Sequence, residues 1–131
     1  MTRELFVPGT PVQQGSKQPG SLRETTGTRL QIWRQAIAWR VKAAGWHRSP
    51  MLSGPVAMRL RFVFPPLTSA PDRYWKVSTP DLDKLVRAVG DALKQGGAYK
   101  DDAQIAQIHA SKHHGSEPGV HIALEPIEEP S

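Results

Sequence analysis

The sequence has no cysteine among its 131 residues. That excludes a disulfide scaffold, a thiolate zinc site and a cysteine nucleophile, and it is compatible with a reducing compartment. There is no apolar run of about 18 residues, so no segment reads as a membrane-spanning helix. The first residues meet Pro8 and Gly9 before any apolar stretch of signal-peptide length, so they do not read as a secretory leader. No P-loop, dinucleotide fingerprint or G-x-S-x-G elbow is present. The length predicts one domain, spanning residues 1–131, large enough to bury a core.

What is present is uneven. Up to Phe64 the chain carries ten Lys or Arg against only Glu4 and Glu24, a net of +8, and the remainder nets −3. All six aspartates (Asp72, Asp81, Asp83, Asp91, Asp101, Asp102) fall between positions 72 and 102, where there is no glutamate. A basic half beside clustered short carboxylates suits a protein that handles a polyanion around an acidic centre. Basic residues that merely solubilise a helix and a strand would explain the first observation equally well.

Periodicity orders the elements. A short strand at Leu5–Val7 is followed by a loop over about 9–27, rich in Pro and Gly. From about Thr28, Leu30, Trp33, Ile37 and Val41 recur at helical steps, with Arg29, Arg34, Arg40 and Lys42 on other faces and Gly45 past the last turn. Met58, Leu60, Phe62 and Phe64 alternate with Arg59 and Arg61, the pattern of a strand with one basic face. A long connection over about 65–79 contains Arg73, Tyr74, Trp75 and Lys76, and connections of that length usually carry function. Thr79-Pro80 reads as a cap and first helical residue. Leu82, Leu85, Val86, Val89 and Leu93 supply the helix stripe, and Gly96-Gly97 ends it. Strands follow near Ile105–Ala110 and Val120–Leu124, joined as a hairpin, and the tail from about 126 to 131 reads as frayed. The expected fold is α+β, one mixed β-sheet with two packed helices in the order β-α-β-α-β-β. Adjacent His113 and His114 point to opposite faces of a strand and read as exposed hairpin residues, not as a metal site.

Taken singly, Asp81 and Asp83 read as helix-start acids favoured by the macrodipole. Asp83, Arg87 and Asp91 read as an exposed ion-pair ladder, and Asp101-Asp102 reads as a turn. Taken together, the stretch from Pro80 to Gln104 resembles the signature of RusA-type Holliday-junction resolvases. In these a D-x-D pair opens a helix, D-A-L stands near its end, and D-D-x-Q follows a Gly-containing turn. The close resemblance covers about positions 80 to 112, with a weaker one over the first strand and the Pro-Gly-Thr-Pro loop. Two positions depart from the pattern: Lys84 stands where the family usually has Asn, and Arg87 where it has Lys. Arg keeps the charge but remains protonated, so a phosphate contact survives the change and a proton-donating role does not.

The resemblance implies a magnesium-dependent homodimeric endonuclease that nicks opposing strands of a four-way DNA junction, of a family common in phages and prophages. It implies a cytoplasmic, bacterial setting with no membrane association. Asp81, Asp83 and Asp102 would ligate Mg²⁺, or Mn²⁺ in its place. Asp101 would be a further or supporting ligand, and Arg87 would neutralise phosphate charge. Lys17, Arg23, Arg73, Lys76 and Lys84 are candidate phosphate contacts, while Tyr74 and Trp75 would either stack on unpaired bases or anchor their loop on the core. Trp33 belongs to the core. A regular helix of this length spans ~20 Å, so Asp101-Asp102 leaves from the end opposite Asp81-Asp83. Either the following strand runs back beside the helix, or the two ends meet across a two-fold axis. Other readings are a flap- or fork-specific metal nuclease, a dimeric junction-binding protein without catalysis, and a basic structural domain.

Overall fold

In the computed structural model, which describes residues 2–14, 22–48 and 52–130 (backbone only for 22–26), the sheet is built around one strand, β2 (Val56–Phe64). Its alternation is realised as read: Val56, Met58, Leu60, Phe62 and Phe64 are buried, and Arg59 and Arg61 are exposed. Both edges of so apolar a strand need hydrogen-bond partners. β4 (Gly119–Pro126) pairs with it antiparallel and β3 (Ile105–His114) pairs with it parallel, while β1 (Arg3–Pro8) pairs antiparallel with β4. The order is β1-β4-β2-β3.

The expected α+β class, mixed sheet and element order are therefore present, but the last two strands are not a hairpin. β2 lies between them, and the connection from His114 to Gly119 crosses its end, where the Gly115 amide donates to the Phe64 carbonyl at 2.8 Å. A Cβ on Gly115 would sit 2.8 Å from the Val63 side chain, so only glycine passes there.

Helix α1 (Leu22–Ala43) begins six residues before the expected Thr28. Once a helix exists, each added residue brings one more hydrogen bond, so it extends through Thr25, Thr26 and Gly27 despite their poor propensity. It buries Trp33, Ile37 and Val41. Helix α2 (Leu82–Gln95) buries Leu85, Ala88, Val89, Ala92 and Leu93. It starts later than read: Asp81, not Thr79, is its N-cap, and the Thr79–Pro80 bond is cis. The reason is Lys112, whose Nζ donates to the carbonyls of Ser78 (2.7 Å) and Pro80 (2.6 Å) and ties that segment to β3 instead of to the helix. Gly96-Gly97 does end α2, with Gly97 at φ +84° and its α-carbon face against the His47 side chain.

His113 and His114 are buried, not exposed. The connection from β2 folds Tyr74–Lys76 onto the free edge of β3. The His114 amide donates to the Tyr74 carbonyl (2.7 Å) and the Lys76 amide to the Lys112 carbonyl (3.3 Å), while His114 Nδ1 lies 2.9 Å from the Pro65 carbonyl oxygen. The Tyr74 ring stacks on His113 with centroids 4.5 Å apart. Among the described residues, no helix is long and apolar enough to cross a membrane.

Candidate active site

β2, α2 and β3 form a parallel crossover, so β3 runs back beside α2 toward its start. Between them lies an open groove of about 800 Å³. Its floor is apolar (Met58, Leu82, Val86, Ile105, Ile108 and Ala110), and Asp83, Arg87, Asp91 and Asp102 stand around it. Ile108 is 55% exposed there, an apolar side chain on the inner face of the sheet that α2 does not reach.

At one end is the start of α2. The Asp81 backbone is extended and its carboxylate makes no capping hydrogen bond. The N-terminal segment packs on this end: the Gln13 side-chain oxygen accepts from the Asp81 amide at 2.9 Å, and the Gln14 amide donates to the Lys84 carbonyl at 3.1 Å. Lys84 Nζ lies 3.8 Å from Asp81 Oδ2. Asp83, Arg87 and Asp91 share one face as expected, yet among the described residues Arg87 pairs with neither acid. The ion-pair ladder is not made, and the guanidinium is exposed over the groove.

At the other end, Asp101 caps a single 3-10 turn (Asp102–Gln104) by accepting from the Ala103 amide at 3.0 Å. The Gln104 side chain closes the reciprocal half of this capping box and also donates to the carbonyls of Leu52 and Gly54. Asp102 is exposed, 4.0 Å from Lys94 Nζ. Tyr99, 2% exposed, donates its hydroxyl to the Gly90 carbonyl at 2.8 Å and so pins the turn before Asp101 to the middle of α2. Burial, then the charges of Asp102 and Asp91, push its ionisation well above the usual tyrosine range.

One member of each carboxylate pair, Asp83 and Asp102, thus lines the groove, with Asp91 between them on α2. Among the described residues no three His, Asp or Glu side chains converge as a metal-binding group. Of the expected nucleic-acid contacts, Arg73 is exposed, and Tyr74 and Trp75 are about half exposed and meet edge to face, so both anchor the connection and present ring surface. Lys76 sits 4.7 Å over the Phe64 ring, its pKa lowered by burial and then by the charge of Lys112. Lys17 and the Arg23 side chain lie outside the described residues. Sequence reasoning missed Lys112 and Tyr99. Lys112 carried a signal, because period-two alternation from Ile108 and Ala110 places a lysine on the inward-facing register.

Comparison with known proteins places the chain in a family. The family described as Endodeoxyribonuclease RusA matches residues 8–125. A Bacillus subtilis (strain 168) protein named "Uncharacterized protein YqaN" is 28% identical over 140 residues, covering 95% of this chain and 96% of its own length. A family match over nearly the whole chain, with both carboxylate pairs inside it, makes the protein a member of the RusA endodeoxyribonuclease family.

Proposed function

We propose that the protein is a Holliday-junction resolvase that hydrolyses phosphodiester bonds with a bound divalent cation and works as a homodimer on DNA in the bacterial cytoplasm. The observation that carries this is the separation of the carboxylate pairs. Asp83 and Lys94, whose Nζ lies 4.0 Å from Asp102, are about 16 Å apart along the α2 axis at 1.5 Å per residue. A two-fold axis through the groove, perpendicular to α2, would set Asp81 and Asp83 of one copy against Asp102 of the other. The apolar floor, the exposed Ile108 and the β3 edge left unpaired by any described strand before Lys112 suit such a second copy.

The donor chemistry fits magnesium. Asp81 is not spent as a cap, and Asp83 has no ion pair among the described residues. Mg²⁺ typically takes one or two carboxylates and keeps sites for water and phosphate oxygens. When bound, the ion lowers the pKa of a water and stabilises charge on the reacting phosphate. Asp81, Asp83 and Asp102 hold it in this reading, and Mn²⁺ would satisfy the same donors. Asp101 positions Asp102 through the cap. Arg87 offers a fixed positive fork to a phosphate beside Asp83. Tyr74 and Trp75 present rings to unpaired bases, with Arg73 beside them.

One observation favours a second reading. Lys84 Nζ stands 3.8 Å from Asp81, where a cation on that carboxylate competes with metal. A dimeric junction binder without cleavage would tolerate this. The deciding experiment is cleavage of an end-labelled four-way junction and a linear duplex, with and without Mg²⁺, by the native protein and Asp83→Asn. Paired metal-dependent nicks in the junction, lost in the variant with binding kept, support the resolvase. Tight junction binding without nicks in the native protein refutes it.

A further inference from the structure

Helix α1 carries a surface that the groove does not use. Opposite its buried stripe, Ile32 and Trp39 are 61% and 69% exposed. At 100° per residue the two lie within about 20° of each other and two turns apart, roughly 10 Å. Arg29 and Arg40 flank this apolar line on one side and Lys42 on the other. All three are exposed, and none has an acidic partner among the described residues. From Gly27 to Arg48 the sequence contains no Asp or Glu at all.

Cations on the outer face of the sheet are offset. Arg59 on the outer sheet face lies 3.9 Å from Glu125, and Arg61 and Glu4 line the same depression as Arg59. α1 has no such compensation. A second copy is a poor occupant of its face, since a two-fold contact would bring Arg29, Arg40 and Lys42 against themselves with only Ile32 and Trp39 to bury. A polyanion with flat apolar groups meets both features, because phosphates take the cations and bases stack on an indole. Exposed duplex offers phosphates without free base faces, so the tryptophan favours an unpaired strand.

We propose that the outward face of α1 binds single-stranded DNA, with Arg29, Arg40 and Lys42 on its phosphates and Trp39 against a base. This surface is separate from the carboxylate groove and does not depend on cleavage. The test uses the full chain without divalent metal and follows the anisotropy of a fluorescein-labelled oligothymidine, beside a duplex, across a salt series. Trp39→Ala lowers affinity for the single strand about ten-fold and leaves duplex affinity unchanged. The Arg29→Gln, Arg40→Gln double variant flattens the log–log salt slope by about 1.4, since each phosphate contact on a single strand contributes about 0.7. Native-like affinity and slope in both variants overturn the proposal, even if the protein cuts junctions. If the native protein fails to cut junctions yet both variants behave as stated, the resolvase reading falls and this surface stands. If the native protein ignores the oligonucleotide and binds an acidic leucine-containing peptide through Trp39 instead, the occupant is a protein and the proposal is wrong.

Discussion

Tyr99→Phe isolates one buried hydroxyl. The ring is 2% exposed and keeps its packing, so the change removes the 2.8 Å hydrogen bond to the Gly90 carbonyl and the ionisable proton, and little else. Gly90 lies inside α2, where its carbonyl also takes the ordinary helical bond, so the loss is the net value of one hydrogen bond, about 1 kcal/mol at neutral pH. Alkaline pH adds a second effect of opposite sign. Burial, Asp102 and Asp91 raise the native Tyr99 pKa above its ordinary 10.0. The unfolded chain therefore loses this proton first, and native stability is complete below pH 10 and falls above it. That fall approaches about 1.4 kcal/mol per pH unit. Phenylalanine has no such loss, so the two stability curves should meet where the native deficit equals about 1 kcal/mol, near about pH 10.7. Urea unfolding followed by tryptophan fluorescence from pH 7 to 11 measures this. A gap that stays constant with pH would refute the upward shift of Tyr99 and with it the burial that is its largest cause.

Lys112→Met leaves the Ser78 and Pro80 carbonyls without their donor, so urea melts should show a loss of about 2 kcal/mol. The Lys76 ammonium, relieved of one of the two influences that depress it, should titrate higher by NMR. Asp101→Ala removes the cap of the 3-10 turn and should lower stability by about 1 kcal/mol, whereas Asp101→Asn retains an acceptor and should recover most of it; equal losses in the two would contradict the capping role. His121 is held below its ordinary 6.5 by burial, then by Arg61 and His113, against an opposing Glu117. The unfolded chain then takes up the proton first as pH falls, so this contribution is complete above pH 6.5 and is lost below it. In His121→Gln the thermal midpoint should depend less on pH between 7 and 5, and an unchanged profile would count against the shift.

What the sequence made legible was local. The alternation of Val56–Phe64 delivered a strand with its true bounds, because burial on one face leaves a period of two that nothing else mimics. Gly97 ended α2 because a positive φ against the His47 side chain admits no Cβ. The carboxylate pairs stood out only through the resemblance of the stretch from Pro80 to Gln104 to the RusA signature, since each alone reads as a helix start or a turn. Three failures were decided by partners distant in sequence. β3 and β4 were read as a hairpin because their connection is short, yet β2 takes both as neighbours. His113 and His114 were read as exposed because nothing local shows that Tyr74 stacks on the first and that the Pro65 carbonyl meets the ring of the second. Thr79-Pro80 has the residues of a helix start, and it is Lys112, thirty-odd positions on, that holds it out of the helix.

The proposed two-fold arrangement has a thermodynamic consequence that follows from charge alone. Bringing Asp81 and Asp83 of one copy against Asp102 of another places like charges together at the edge of an apolar groove, which disfavours the dimer unless a cation is shared between them. Lys84 and Lys94 already sit 3.8 and 4.0 Å from the outer members of this set, and they offset part of the repulsion in the free chain. A divalent ion bound by carboxylates from both copies binds the dimer and not the monomer, so it must tighten association by mass action. Sedimentation at protein concentrations near half-dissociation should therefore show Mg²⁺ driving dimer formation, with the response abolished in Asp83→Asn. In that variant the repulsion is also reduced, so its metal-free dimer should be no weaker than the native one. A native dimer indifferent to magnesium would mean that each chain builds its site alone, and the two-fold assignment of Asp102 would be wrong.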